Sequence, residues 1–263
     1  MSEEFSYQNY VTDSKFMRGY SKYQEKYIKN ARESDKVIIN AIHKIVDLNE
    51  NNGKTLSLLD VGCSTGNLLR HLKIAIPRLS LVGGDMVAKI LKECRKDPEL
   101  KGIRFREANV LDLGCEEKYD IITVNAVFYL LNYKEFEEAL SSVSNALNDN
   151  GWLISFDLFH PFEQDLSIFE KSKSHPEGIA LHFRPFEIVK QILKKSNFKK
   201  VDFNPFIIPI SLNKEKFLQN DPDIFHELTT YTQQLQSGHQ LLFRGALAQP
   251  WCHLIAQKNS NVT

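Results

Sequence analysis

An aspartate and three small residues alternate through Asp60-x-Gly62-x-Ser64-x-Gly66, between an apolar run at 56–61 and a helical one from Asn67. Small residues let a backbone come close to a ligand, and the amide groups opening a helix favour an anionic group. The same residues also read as a tight strand-to-helix turn and nothing more. A side chain at Gly62 or Gly66 would take up ligand space or strain the turn. Asp85 closes the next apolar run, Leu81-Val82-Gly83-Gly84, 19 residues beyond Gly66. An acid there is placed to accept from ribose hydroxyls in the crevice of an α/β sheet, whereas alone it would cap the following helix. The dinucleotide pattern G-x-G-x-x-G fails: aligned on Gly62, it puts Ser64 and Asn67 where the other two glycines belong.

Histidines are the candidates for a general base, if a reaction here needs one. His160, just past an apolar run at 151–157, comes first, with His182 and His239 behind it. Each also reads as an exposed or structural histidine. The four cysteines, Cys63, Cys94, Cys115 and Cys252, are widely spaced, with no CxxC pair and no histidine at ligand spacing. They read as reduced thiols, and no metal site is expected.

These groups need a scaffold, and the pattern of apolar runs supplies one. Residues 13–50 read as two helical pieces meeting near Arg32, with Ser34 as the cap of the second. Strands are expected at 56–61, 79–84, 103–107, 119–124, 151–157 and 199–208. Helices fall between them at 67–75, 86–96, 134–147 and 186–196. Nearly continuous apolar strands alternating with helices predict a parallel sheet covered on both faces. A last strand, 251–256, reads as an edge hairpin partner. Two stretches, 158–183 and 211–248, break the alternation and read as inserted caps.

At this length of 263 residues one large domain is expected, and 33 basic against 33 acidic residues leave no net charge. That balance argues against a nucleic-acid partner. The first residues are polar and acidic, unlike a signal peptide, and no apolar run is long enough to span a membrane. A cytoplasmic protein is the expectation.

LLDVGCSTGNLL followed by LVGGDM resembles the first two motifs of class I S-adenosylmethionine-dependent methyltransferases. The likeness continues through Phe105–Leu113, Tyr119–Val127 and Asn148–Ile154, covering about 50–157 and, more loosely, 184–208. Asn109 stands where that family commonly has Asp, Asn150 where it has Pro or Gly, and Ser64 replaces the middle glycine. The resemblance implies an α/β, Rossmann-like, doubly wound and mostly parallel sheet. It would carry an N-terminal helical lid (1–50), a methyltransferase domain (51–258) with helical cap insertions at 158–183 and 211–248, and a tail (259–263).

It implies S-adenosyl-L-methionine as cofactor, with S-adenosyl-L-homocysteine as product. Asp60, Gly62, Cys63, Ser64 and Gly66 would pass beneath its methionine part. Asp85 would take the ribose hydroxyls, Met86 pack on adenine, and Asn109 and the Val110 amide read the adenine edge. Asn125 would meet the amino group, and Arg32 the carboxylate unless it is a surface charge. Tyr20, Tyr23, Phe128, Phe159, His160 and Phe183 are expected to line an acceptor pocket under the lid, since a sulfonium suits aromatic walls.

The exit Asn125-Ala126-Val127-Phe128 lacks the Asn/Asp-Pro-Pro-Tyr/Phe of enzymes methylating nucleobase or glutamine amino groups, and holds no Pro-Cys nucleophile. The favoured acceptor is therefore a small molecule, its O, N or C atom open. A larger target, such as a tRNA or a carrier-bound acyl chain, and a cofactor-binding protein without transfer activity are the alternatives.

Overall fold

The computed structural model describes residues 22–49, 55–171, 178–206, 230–234, 240–244 and 250–260. In chain order the elements are α1 (Glu33–Leu48), β1 (Ser57–Val61), α2 (Asn67–Ala75), β2 (Ser80–Asp85), α3 (Ala88–Lys96), β3 (Arg104–Glu107) and β4 (Tyr119–Asn125). There follow α4 (Tyr133–Ala146), β5 (Leu147–His160), β6 (Leu166–Lys171), β7 (Ile179–Pro185), α5 (Phe186–Lys195) and β8 (Phe198–Pro205). Strands β9 (Thr230–Gln234), β10 (Gln240–Arg244) and β11 (Trp251–Lys258) complete the set.

Successive strand residues point to opposite faces, so a run of consecutive apolar residues must be covered on both. Leu58, Ile121 and Ile154 pack with Ile38, Ile42, Leu69, Leu72 and Leu91 from α1, α2 and α3. Their neighbours Leu59, Ile122 and Leu153 pack with Phe136, Leu140, Val143, Val189 and Leu193 from α4 and α5. Helix α4 opens on a capping box, with Asn132 and Glu135 each holding the other's backbone amide. Helix α1 begins two residues earlier than expected: Arg32, not Ser34, is its N-cap, and Ser34 is buried in the first turn.

Strands β3, β2, β1, β4 and β5 are parallel in that order. Strand β11 runs antiparallel between β5 and β8 and pairs with both, so it is not an edge strand. Leu254 and Ala256 share its buried face, and β8 takes the edge. The insertions differ from expectation as well: their described elements are strands, and no helix is among them. Burial alternates through Ile179, Leu181 and Phe183, a period of two that suits a strand and not a helix. Strand β5 runs on to His160, where Phe159 and His160 register with Arg184 and Pro185 of β7; β7 pairs with β6, β6 with β9 and β9 with β10. The rest of 211–248 and residues 1–21, Tyr20 and His239 included, lie outside the described residues. Among the described residues no helix is long and apolar enough to cross a membrane.

Candidate active site

The strand order reverses between β1 and β4, and the crevice at their carboxyl ends is where an open α/β sheet binds ligands. The turn leaving β1 is held by the Gly62 and Cys63 amides donating to the Gly84 carbonyl at 2.8 and 3.0 Å. Gly62 and Gly66 have left-handed backbones, with φ of 73° and 74°. A Cβ on Gly62 would lie 2.9 Å from Val127 Cγ2, and one on Gly66 2.8 Å from Leu100 Cδ1. Glycine is thus required by backbone conformation and by protein neighbours.

A cavity of about 710 Å³ opens over this turn. Of the residues singled out from sequence, it brings together Tyr23, Arg32, Asp60, Gly62, Cys63, Ser64, Asp85, Met86, Val110 and Asn125. Gly66 lies behind them as the N-cap of α2. Asn109 is not in the lining, and its Oδ1 accepts from the Leu111 amide at 3.0 Å, closing a local turn. Phe128, Phe159 and Phe183 are core residues: Phe128 and Phe159 pack on Phe136, and Phe183 registers with Leu166. His160 is buried against β7 and Phe162, with neither ring nitrogen bonded among the described residues, and does not reach the cavity. Because β5 continues through these positions, their side chains are committed to packing rather than to the crevice. His182 bonds Ser167 on the inserted strands, also away from the cavity.

Three buried acids, Asp35, Asp60 and Asp85, face the cavity. Burial pushes Asp60 up to about 7, against the Thr123 hydroxyl that donates to it at 2.7 Å. Asp35 and Asp85 add repulsion, while Arg32 opposes them. Burial also raises Asp85, whose Oδ2 accepts from the Ser64 amide and Oδ1 from the Val87 amide, both at 2.9 Å. It therefore does cap the turn after β2, and ties that turn to the β1 loop. Each carboxylate oxygen still keeps a lone pair for a ligand. Arg32 donates Nε to Asp35 at 2.9 Å and lies over the Tyr27 ring at 5.5 Å, so it is an organised part of the cavity wall. Cys63 and Cys94 are both raised by burial, Cys94 to about 11, and their thiols turn to the Ser64 carbonyl. They are structural.

The Asp60 shift carries a sign. Its folded value of about 7 lies above the ordinary 3.8, so the folded state holds the proton more tightly. Stability therefore falls as pH rises through that window and levels off above it. Asp60→Asn should flatten this fall in denaturant midpoints measured across that range, and an unchanged slope would show that Asp60 does not titrate there.

Several residues of the site were not anticipated. Asn67 Nδ2 donates to the backbone and side-chain oxygens of Gln24 at 2.8 and 3.1 Å, and His71 Nε2 contacts the Tyr27 carbonyl at 2.8 Å. These bonds dock residues 24–27 on α2, over the β1 loop. Asn67→Leu should speed hydrogen exchange in residues 22–31 and weaken cofactor binding by about tenfold, the worth of one or two lost bonds; unchanged exchange would remove this docking role. Phe156, Trp251, Phe206 and Tyr129 also line the cavity. Behind it, buried Asp157 accepts from the Val127 and Phe128 amides at 3.1 and 2.8 Å, and buried Arg184 donates to the Phe128 carbonyl at 2.9 Å and to that of Leu131. Together they clamp the loop leaving β4. Acid–acceptor spacing of this kind leaves no local pattern, since its members come from β4, β5 and β7.

Residues 58–151 match a model of a methyltransferase domain, from β1 and its glycine turn into β5. Over those residues the chain carries a methyltransferase domain. The malonyl-[acyl-carrier protein] O-methyltransferase of Bacillus cereus is 26% identical over 45% of this chain and 44% of its own. The demethylmenaquinone methyltransferase of Thermus thermophilus is 31% identical over 37% of this chain and 44% of its own. Alignments to such relatives span from 39 to 66% of their length. The crystal structure of the plantazolicin methyltransferase BpumL, in complex with a pentazolic desmethylPZN analog and SAH, matches at a TM-score of 0.57. It is 14% identical, over 96% of this chain and 94% of that one.

The methyltransferase domain fits S-adenosylmethionine on its own geometry. Ser64 Oγ and Asn125 Oδ1 are buried lining atoms without a hydrogen-bond partner among the described residues. With three carboxylates beside them, they suit a ligand that brings hydroxyl donors and positive charge. Met86, Ile90, Ala108 and Val110 form an apolar slot on the β2–β3 side for a flat base.

Proposed function

We propose that this chain binds S-adenosylmethionine in the crevice and transfers its methyl group to a small-molecule acceptor held in the same cavity. The observation that carries this reading is one continuous space of about 710 Å³, running from Asp85 and the glycine turn to aromatic residues at the ends of β5 and β11. That volume lies in the upper range for a ligand pocket, and it suits a cofactor together with a modest second molecule.

When bound, the cofactor supplies a methyl group on a sulfonium that leaves as a neutral thioether. The tasks left to the chain are holding, orienting and excluding water. Asp85 would accept from the ribose hydroxyls. Asp60 and Asn125 would stand toward the ammonium end, and Arg32, fixed by Asp35, would set the wall around the cofactor carboxylate. Tyr23 and Tyr27, docked through Gln24 and His71, would cover it. Among the described lining residues there is no histidine, and His160 is not retained as a base.

Titration calorimetry tests the reading. Heat is expected with S-adenosylmethionine and S-adenosylhomocysteine and none with NAD; the reverse would overturn it. Profiling of metabolites with an isotopically labelled methyl donor, in cells with and without the protein, should show label in a small molecule; label only in tRNA or in an acyl-carrier adduct would point to a larger target.

A further inference from the structure

The cavity has two unlike halves. Over β1 and β2 it is polar and acidic. On the β4, β5 and β11 side, four aromatic rings from four separate pieces of chain converge: Tyr129 after β4, Phe156 on β5, Phe206 after β8 and Trp251 on β11. Phe156 and Trp251 stack at 4.8 Å with planes 17° apart. Phe206 meets Phe156 edge-on at 5.2 Å, and Tyr129 meets Trp251 edge-on at 5.8 Å. All four rings are half-buried, whereas the core rings Phe128, Phe136 and Phe159 are closed over.

The wall is fixed from behind. The His253 ring lies 4.6 Å from Phe156 and 5.4 Å from Phe206, and its Nε2 contacts the Ser34 carbonyl at the start of α1 at 3.1 Å. Burial lowers the His253 pKa, opposed by the Ser34 carbonyl and by Asp35. The Phe206 amide donates to the Trp251 carbonyl at 2.9 Å, locking those two positions together. Val127 and Leu130 add aliphatic surface.

We propose that this aromatic wall is the acceptor subsite and that it takes a flat aromatic or heteroaromatic ring. The inference rests on the methyltransferase reading and deepens it. Aromatic rings gain offset-stacked and edge-to-face contacts with another ring beyond the area they bury, and a saturated ring of the same size gains only the area.

The test uses the protein loaded with S-adenosylhomocysteine and two uncharged probes, a naphthol and its fully hydrogenated decalinol counterpart. Affinity is read by titration calorimetry, and contact with the wall from the Trp251 indole resonance, assigned with Trp251→Phe. The naphthol is expected to bind about tenfold more tightly than the decalinol and to shift that resonance. Trp251→Leu and Phe156→Leu should erase the preference while holding S-adenosylhomocysteine affinity within about threefold, and Trp251→Phe should restore most of it. Circular dichroism on each variant separates lost binding from lost fold, and the probe comparison in the unsubstituted protein stands without any variant. Equal binding of the two probes, or naphthol binding that leaves Trp251 unmoved, would overturn the subsite. Failure of S-adenosylhomocysteine itself to bind would instead overturn the methyltransferase reading and the subsite with it.

Discussion

Asp85→Ala should weaken binding of S-adenosylmethionine by about a hundredfold, read by titration calorimetry. Two hydrogen bonds from ribose hydroxyls to a charged acceptor contribute on the order of 3 kcal/mol together, and each 1.4 kcal/mol or so is tenfold in affinity. Asp85 also receives the Ser64 and Val87 amides, so its loss frees the β1 loop at the point where the cofactor lies on it. Asp85→Asn separates the two roles. Its amide retains one acceptor oxygen for the backbone, but it cannot serve two amides and two hydroxyls at once. It should therefore keep most of the thermal stability and lose most of the affinity. A loss of less than about twofold in either variant would reduce Asp85 to the cap it also is.

The second large effect is on the fold. Arg184→Met should lower stability by about 3–5 kcal/mol, the cost of leaving a buried partner charge uncompensated. In a chain of this size that corresponds to a fall of roughly 10 °C in melting temperature. Arg184 is 2% exposed, lies over the Phe136 ring at 4.3 Å and donates to the carbonyls of Phe128, Leu131 and Asn132. Burial draws its pKa down to about 10, opposed by Asp157, and pushes Asp157 up to about 6. Removing the guanidinium strands those carbonyls and deepens the Asp157 shift. Arg184→Lys keeps the charge but not the fork that reaches several carbonyls at once, and should recover only part of the loss. A melting temperature within about a degree of the unsubstituted protein would show that the clamp contributes nothing net.

The parallel core was legible because its information is local. Strands β1, β2, β4 and β5 each hold an apolar run, each helix keeps a spacing of three and four, and the glycine turn with Asp85 lies within 26 residues, 60 to 85. Such patterns follow from the geometry of one strand or helix and need no knowledge of its neighbours. The cofactor half of the site, from Asp60 to Asp85 with Val110 and Asn125, was readable for that reason. Arg32 was readable as a charge at a helix junction. That it would be held by Asp35 and Tyr27 was not.

The acceptor half was not legible. Strand alternation puts Phe156 and Phe159 on opposite faces of β5, but Phe156 and His160 share a face, and only the pairing of β5 with β7 decides that His160 is buried while Phe156 lines the cavity. Trp251 reads as the first residue of an edge strand until β11 is seated between β5 and β8, two partners from separate parts of the chain. Composition and periodicity determined that this chain would form a covered parallel sheet with a nucleotide-type turn at its switch point. Which aromatic rings would meet at the far end of that crevice depended on strand pairing at long range, and pairing at long range leaves no spacing in the sequence to read.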